Sequence, residues 1–152
     1  MIENLVFMMG EFQAEFPQDR HYATNHMWAM FTADGTWRFG FTAYAVRLLQ
    51  DVYFLEWLVD APASLTNRQE IGSIESKKAE SSLYAPASGE LVSFNESLMN
   101  DPSTINTDKY RDGWLFEMQI SDKSFMTATD YLNHLEDVWP KTQRTIKGQM
   151  NE

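Results

Sequence analysis

The sequence predicts a mainly β fold, a compact β-sandwich or barrel with helices at its edge. Three observations predict it. Turn signals built from Gly, Pro, Asn and Asp recur at spacings of about 8–12 residues. The segments between them are short and rich in aromatic and β-branched residues, as half-buried pleated strands require. Helical spacing of apolar residues shows in only two places, Ala43 to Leu49 and from Ala128 onward.

Residues 1–20 mix apolar and acidic side chains up to Pro17, which breaks any helix. They read as an extended or partly helical lead-in packed on the body. The body spans 21–126. Met27 to Phe31 and Trp37 to Phe41 read as a hairpin around Ala33-Asp34-Gly35-Thr36. Thr42 is placed to cap a short internal helix, Ala43 to Leu49. Val52 to Leu58 reads as a buried strand interrupted by Glu56, and Asp60 to Asn67, with Pro62, as a loop. Gln69 to Ser76 and Ser81 to Ala85 pair as a second hairpin. Pro86-Ala87-Ser88-Gly89 turns into Glu90 to Phe94. Asn95 to Tyr110 is a long polar connection with a helical turn near Leu98, and Gly113 to Ile120 is the last strand. Thr127 opens a C-terminal helix, 127–140, which Pro140 should end. Residues 141–152 read as a polar tail.

The chain has 152 residues, the size of one domain, and 43% hydrophobic residues. That composition supports a packed core. The net charge of −10 repels phosphate backbones and anionic lipids, so neither nucleic acid nor membrane is expected as a partner. It suits electrostatic docking onto basic patches of partner enzymes. The chain has no cysteine, which excludes disulfides, thiolate nucleophiles and Cys-based metal sites. The first residues lack the basic start and apolar run of a signal peptide, and no apolar run is long enough to span a bilayer. A cytoplasmic location is expected.

The most informative stretch is Ile74-Glu75-Ser76-Lys77-Lys78-Ala79, between two strand-like segments. A lysine at a hairpin tip leaves its ε-amine open to a modifying enzyme, and a stem attached there can swing freely. Lys78 is therefore the candidate attachment point of a covalent cofactor, with the chemistry residing in that cofactor. Glu75, Ser76 and Ala79 are its candidate recognition or hairpin-forming neighbours. His21, His26 and His134 have no ligand-like spacing, and no metal site is expected. No nucleophile has a base partner, and no phosphate loop or dinucleotide motif is present. A free-standing enzyme is not expected.

An ordered series of residues resembles the glycine cleavage H-protein family. It comprises Asn25-His26-Met27-Trp28, Asp34-Gly35-Thr36, Gly40-Phe41-Thr42, Ala45, Glu75-Ser76-Lys77-Lys78-Ala79 and Tyr84-Ala85-Pro86-Ala87-Ser88-Gly89-Glu90. Asn95-Glu96, Pro102, Ile105-Asn106, Tyr110 and Gly113-Trp114-Leu115 complete it. The resemblance implies a barrel-sandwich hybrid of two antiparallel sheets with a short internal helix and a C-terminal helix. It implies lipoate in amide linkage to Lys78, installed by a lipoate ligase or lipoyl synthase. It implies a non-catalytic carrier whose arm serves the glycine cleavage P, T and L proteins. Lys77 stands where the family has an apolar residue and is the rival attachment point, but the family position is Lys78.

Two departures bear on the cargo. The family holds the cationic aminomethyl group with carboxylates; here Met27 and Ser82 stand at those two positions. One alternative is that Glu80 or Glu56 holds the amine. The other is a cleft of His26, Met27, Leu48, Trp57 and Ser82 suited to a sulfur-bearing adduct, since methionine tolerates sulfur and aromatic neighbours. The stretches Gly40 to Leu49, Leu55-Glu56-Trp57 and Ala79 to Tyr84 are similar to H-like lipoate-binding proteins of bacterial sulfur oxidation. That similarity implies a heterodisulfide-reductase-like complex as partner. That service is the expected function. Glycine cleavage is the alternative, and an unlipoylated binding module of the same fold is the rival of another class.

Overall fold

The computed structural model describes residues 3–121 and 124–150, with side chains described to residue 144. The elements in order are β1 (Leu5–Met9), β2 (Phe12–Phe16), β3 (His21–Tyr22), β4 (Met27–Phe31), β5 (Trp37–Phe41), α1 (Ala43–Leu49) and β6 (Val52–Trp57). There follow β7 (Ala63–Leu65), β8 (Glu70–Ser76), β9 (Glu80–Tyr84), β10 (Gly89–Phe94), α2 (Ser97–Asn100), α3 (Thr104–Thr107), β11 (Phe116–Gln119) and α4 (Ala128–Met150). A six-stranded sheet has the order β3-β4-β5-β11-β10-β7, and a three-stranded sheet the order β6-β8-β9. Every pairing is antiparallel. The expected mainly β fold of antiparallel sheets, with an internal and a C-terminal helix, is observed.

The main core lies between these sheets. Met27, Phe39, Phe41, Leu91 and Phe116 from the large sheet meet Leu55, Ile71, Ile74 and Leu83 from the small one. Burying such side chains supplies roughly 1.5–3 kcal/mol each in transfer free energy. A second apolar cluster lies on the other face of β4. There Trp28 packs with Phe7, Met9, Ala14 and Phe16 of the β1–β2 hairpin, Tyr44 of α1, and Tyr131 and Leu135 of α4. β4 is thus buried on both faces, which is why Met27, Trp28 and Ala29 are buried in succession. Gly40 is required opposite Trp28, because a Cβ there would stand 2.5 Å from the indole.

The structure differs from the sequence expectations at four points. The lead-in is a β-hairpin turning at Gly10, whose φ is +65°. The 60–67 loop contains β7, which pairs with β10. The strand expected to be buried over Val52 to Leu58 exposes Tyr53 and Phe54 side by side. Its register shifts between Val52 and Phe54, so a β-bulge at Tyr53 turns consecutive side chains outward. Finally, α4 runs through Pro140 to Met150 instead of ending there. Pro140 removes an N–H, but the next turn is tied down: the Thr142 hydroxyl donates to Val138 O at 3.1 Å and accepts from the Tyr44 hydroxyl at 2.9 Å. The segment read as a polar tail is helical as far as Met150, and residues 151–152 lie outside the described residues.

Candidate functional site: a lysine hairpin beside an acidic sheet face

The β8–β9 hairpin is pinned at its neck and free at its tip. Ser76 N–H donates to Ala79 O at 2.8 Å. The Ser76 hydroxyl donates to the same carbonyl at 3.1 Å and accepts from Ala79 N–H at 3.2 Å. Ser76 is buried, so its part is to close the turn. Lys77 N–H donates to Asp51 O at 2.8 Å, which ties the turn to the chain entering β6. That entry is held in turn by Asn106, which accepts from Val52 N–H at 2.9 Å and donates to Gln50 O at 2.6 Å. Lys77 and Lys78 occupy the two central positions of the turn, and both are exposed, as is Ala79.

The outer face of the small sheet is polar. Phe54, Glu75 and Glu80 form one cross-strand row; Glu56, Ser73 and Ser82 form the next. Glu75 and Ser73 are half-buried; the other four are exposed. Ser82, at a position where the resemblance expects a carboxylate, donates its hydroxyl to the Glu70 carboxylate at 2.5 Å. A carboxylate is therefore present beside that position, supplied by the neighbouring strand.

The five residues expected to form a cargo cleft do not come together. Met27 is 1% exposed and belongs to the main core. Leu48 packs at the margin of the second cluster. Trp57 is half-buried, stacks on Phe94 at 4.3 Å between ring centroids and leaves its buried indole N–H without a partner among the described residues. Ser82 is on the outer face of the small sheet. His26 has φ +67°, lies 4.7 Å from Tyr44 between ring centroids, and its Nδ1 stands 2.8 Å from the Tyr131 hydroxyl. They belong to separate parts of the fold: Met27 and Trp57 pack in or against the main core, Leu48 of α1 against the second cluster, and Ser82 of β9 stands on the outer face of the small sheet. The structure has instead an open cleft of about 550 Å³ at the far end of β9, lined by Tyr22, Asn25, Arg68, Tyr84, Pro86 and Phe125 among others. None of the five lines it.

His26 is the strongly perturbed histidine. Burial, with the His134 ring as a second cause, pushes it down to about 4. Burial also raises the Tyr22, Tyr110 and Tyr131 hydroxyls, which stay protonated as hydrogen-bond donors. His26 and His134 approach to 6.0 Å between ring centroids. Among the described residues no group of three or more His, Cys, Asp or Glu is placed to hold a metal ion. No helix among them is long and apolar enough to cross a membrane. Sequence reasoning missed the outward pair Tyr53–Phe54 and the Asp51 and Asn106 contacts that anchor the hairpin. The one available signal was two adjacent aromatics breaking the alternation of a strand.

An antiparallel β fold whose two main sheets hold lysines out on a hairpin has the form of a carrier protein. The comparisons with known proteins specify the family. The model of the glycine cleavage H-protein family matches residues 20–138. The chain is 38% identical over 128 residues to the glycine cleavage system H protein of Pseudoalteromonas translucida (strain TAC 125), covering 82% of this chain and 98% of that one. It is 41% identical over 126 residues to that of Psychrobacter cryohalolentis, covering 80% and 99%. The crystal structure of a glycine cleavage system H protein from Mycobacterium marinum superposes with a TM-score of 0.70 at 36% identity, covering 78% of this chain and 98% of that one. The chain belongs to the glycine cleavage H-protein family.

Proposed function

We propose that the chain is a lipoyl carrier of the glycine cleavage type, with lipoate in amide linkage to Lys78 and an aminomethyl group as its cargo. The single observation that carries this reading is the exposed lysine tip on a hairpin whose neck is hydrogen-bonded to the body. A firm neck and a free tip are what a swinging arm needs. Tethering then raises the effective concentration of the carried intermediate at each partner's active site.

The acidic face supports the aminomethyl cargo. A protonated amine on the arm would meet Glu56, Glu75 and Glu80, and the Glu70 carboxylate beside Ser82. Around Ser82 the charge is supplied by Glu70, with Glu56, Glu75 and Glu80 on the same sheet face. Glu80 and Glu56, the alternative holders of the amine, both belong to this face. The sulfur-oxidation reading, with a heterodisulfide-reductase-like partner, rested on a Met- and Trp-lined cleft and on the likeness of three stretches to the sulfur-oxidation branch. Met27 is core and Trp57 is stacked on Phe94, so that cleft is absent. The relatives compared above are glycine cleavage system H proteins. The partners supported best are therefore a lipoate-attaching enzyme and the glycine cleavage P, T and L proteins.

Intact-mass spectrometry tests the attachment. A lipoyl increment that disappears in Lys78→Arg and survives in Lys77→Arg is the expected result. Incubating lipoylated protein with glycine and glycine decarboxylase tests the cargo. Failure to load an aminomethyl group would remove the glycine cleavage reading. Absence of any lipoyl increment after treatment with lipoate ligase would leave a binding module of the same fold.

A further inference from the structure

We infer that the outward aromatic pair Tyr53–Phe54, with the carboxylates around it, is the docking surface for the enzyme that attaches lipoate to Lys78. The inference rests on Lys78 being the attachment point and goes beyond it, since it assigns a recognition role to a different strand.

The geometry begins with the bulge. In a regular strand Phe54 would follow Tyr53 onto the opposite face. The register shift instead pairs Val52 with Ser76 and Phe54 with Glu75, leaving Tyr53 as the extra residue. A bulge of this kind re-aims side chains and recurs near functional sites. Tyr53 is 62% exposed and Phe54 43% exposed. Both flanking residues, Val52 and Leu55, are buried in the main core. The strand is anchored while two large rings face solvent.

The place of the pair decides its partner. β6 is an edge strand of the small sheet. Asp51, two residues before Tyr53, accepts the Lys77 N–H. Phe54 lies in the same cross-strand row as Glu75 and Glu80, the residues that flank the turn. Adjacent strands are about 4.8 Å apart, so the pair lies within one or two strand spacings of the hairpin neck. An enzyme that draws the Lys78 ε-amine into its active site must cover this surface, because a specific interface spans about 800 Å² on each partner.

The chemistry of the complementary surface follows. Asp51 and Glu56 are exposed beside the rings; beside the turn Glu80 is exposed and Glu75 half-buried. Tyrosine and phenylalanine ringed by carboxylates fit an apolar depression bordered by Lys and Arg around the mouth of an acyl-transferring site. The rings would serve as anchors. The carboxylates would speed encounter and impart salt sensitivity.

The test is lipoylation of the full chain by a lipoate–protein ligase supplied with ATP and free lipoate, followed by intact mass. The Tyr53→Ala/Phe54→Ala variant should lose roughly tenfold or more in kcat/KM, carried by KM, the order expected when aromatic anchors are truncated. Tyr53→Asp, which leaves Phe54 in place, provides a second variant should the double one fold poorly. Met8→Ala removes an equally exposed apolar side chain on the distant β1 and should match the native rate. The native rate should fall as ionic strength rises from ~0.01 to 0.3 M, and Glu56→Lys should flatten that dependence. Folded variants at Tyr53 and Phe54 that are acylated within twofold of native would overturn the inference while leaving Lys78 as the attachment point. A native chain that takes no lipoyl group would overturn both. Unchanged lipoylation, with loss of exchange only at glycine decarboxylase, would overturn the ligase as the occupant.

Discussion

The two ends of the molecule are built on opposite terms. At one end, Lys77 and Lys78 stand exposed on a hairpin that is hydrogen-bonded at its neck. At the other, Phe16, Tyr22, Trp28, Tyr131 and Leu135 are 0% exposed where the N-terminal hairpin, β4 and α4 converge. Tyr22 and Tyr131 stack at 4.8 Å between ring centroids, and the Tyr22 hydroxyl donates to Pro17 O at 2.5 Å. The difference teaches that presentation and stability are separable. The tip can be altered without touching packed surface, and the aromatic cluster can be weakened without moving the tip.

The sharpest way to break this separation is at the tip. Lys78→Arg should abolish lipoylation entirely, while its unfolding midpoint in urea should stay at the native value, because exposed substitutions of this kind stay within about 0.5 kcal/mol. A clear loss of stability would show that Lys78 is packed. The converse substitution is Leu135→Ala in the aromatic cluster. Removing a fully buried leucine costs about 2–5 kcal/mol through lost transfer energy and the cavity left behind. The folded fraction should nevertheless be lipoylated at the native rate. A fall in that rate at temperatures where the variant is fully folded would couple the two ends.

Sequence reading was strongest where local rules act alone. Asp34-Gly35 marked the β4–β5 turn, Thr42 and Thr127 marked the starts of α1 and α4, and the lysine hairpin stood between legible strands. Thr127 accepts from Asp130 N–H at 3.1 Å, as an N-cap should. Reading failed where long-range packing decided the outcome. Val6 and Met8 fill the outward positions of β1, so its alternation was hidden. β7 is three residues long and exists through its pairing with β10. α4 passes Pro140 because Tyr44, 98 residues away in sequence, secures Thr142. At the candidate site the lysine turn was legible and the cleft was not. Cleft membership depends on which face each strand presents, and the bulge at Tyr53 inverts that locally.

Acid should sharpen the contrast further, because His26 belongs to the buried end. Its ordinary value of 6.5 is lowered to about 4, chiefly by burial. The unfolded chain therefore binds the proton more readily than the folded one. Stability from this group is fully present above pH 6.5 and is lost as pH falls toward about 4. At 1.36 kcal/mol per pH unit, that gap is worth roughly 3 kcal/mol at most. Many carboxylates also titrate in this range, so the informative measurement is the difference between native and His26→Gln in urea melts. The native chain should lose the advantage between pH 6.5 and 4, while the variant's curve is flatter. Parallel curves would mean that His26 accepts its proton without cost to the fold.

The smallest effect belongs to Thr42, which connects the internal helix to this same cluster. Its hydroxyl accepts from Ala45 N–H at 3.4 Å as the α1 N-cap and stands 3.0 Å from the Tyr131 hydroxyl. In the neutral tautomer protonated on Nε2, His26 offers Nδ1 as an acceptor to Tyr131, and the chain of donors then runs from Thr42 to Tyr131 to His26. Thr42→Val keeps the shape and removes the hydroxyl. Tyr131 would still donate to His26, so the donor that loses its partner is Ala45 N–H, and the cost should be that of a lost cap, about 1 kcal/mol. Thr42→Ser should restore most of it. The penalty for Thr42→Val should grow at acid pH, where protonated His26 can no longer accept and the Tyr131 donor loses its partner. A pH-independent penalty would show that Thr42 acts on the helix alone.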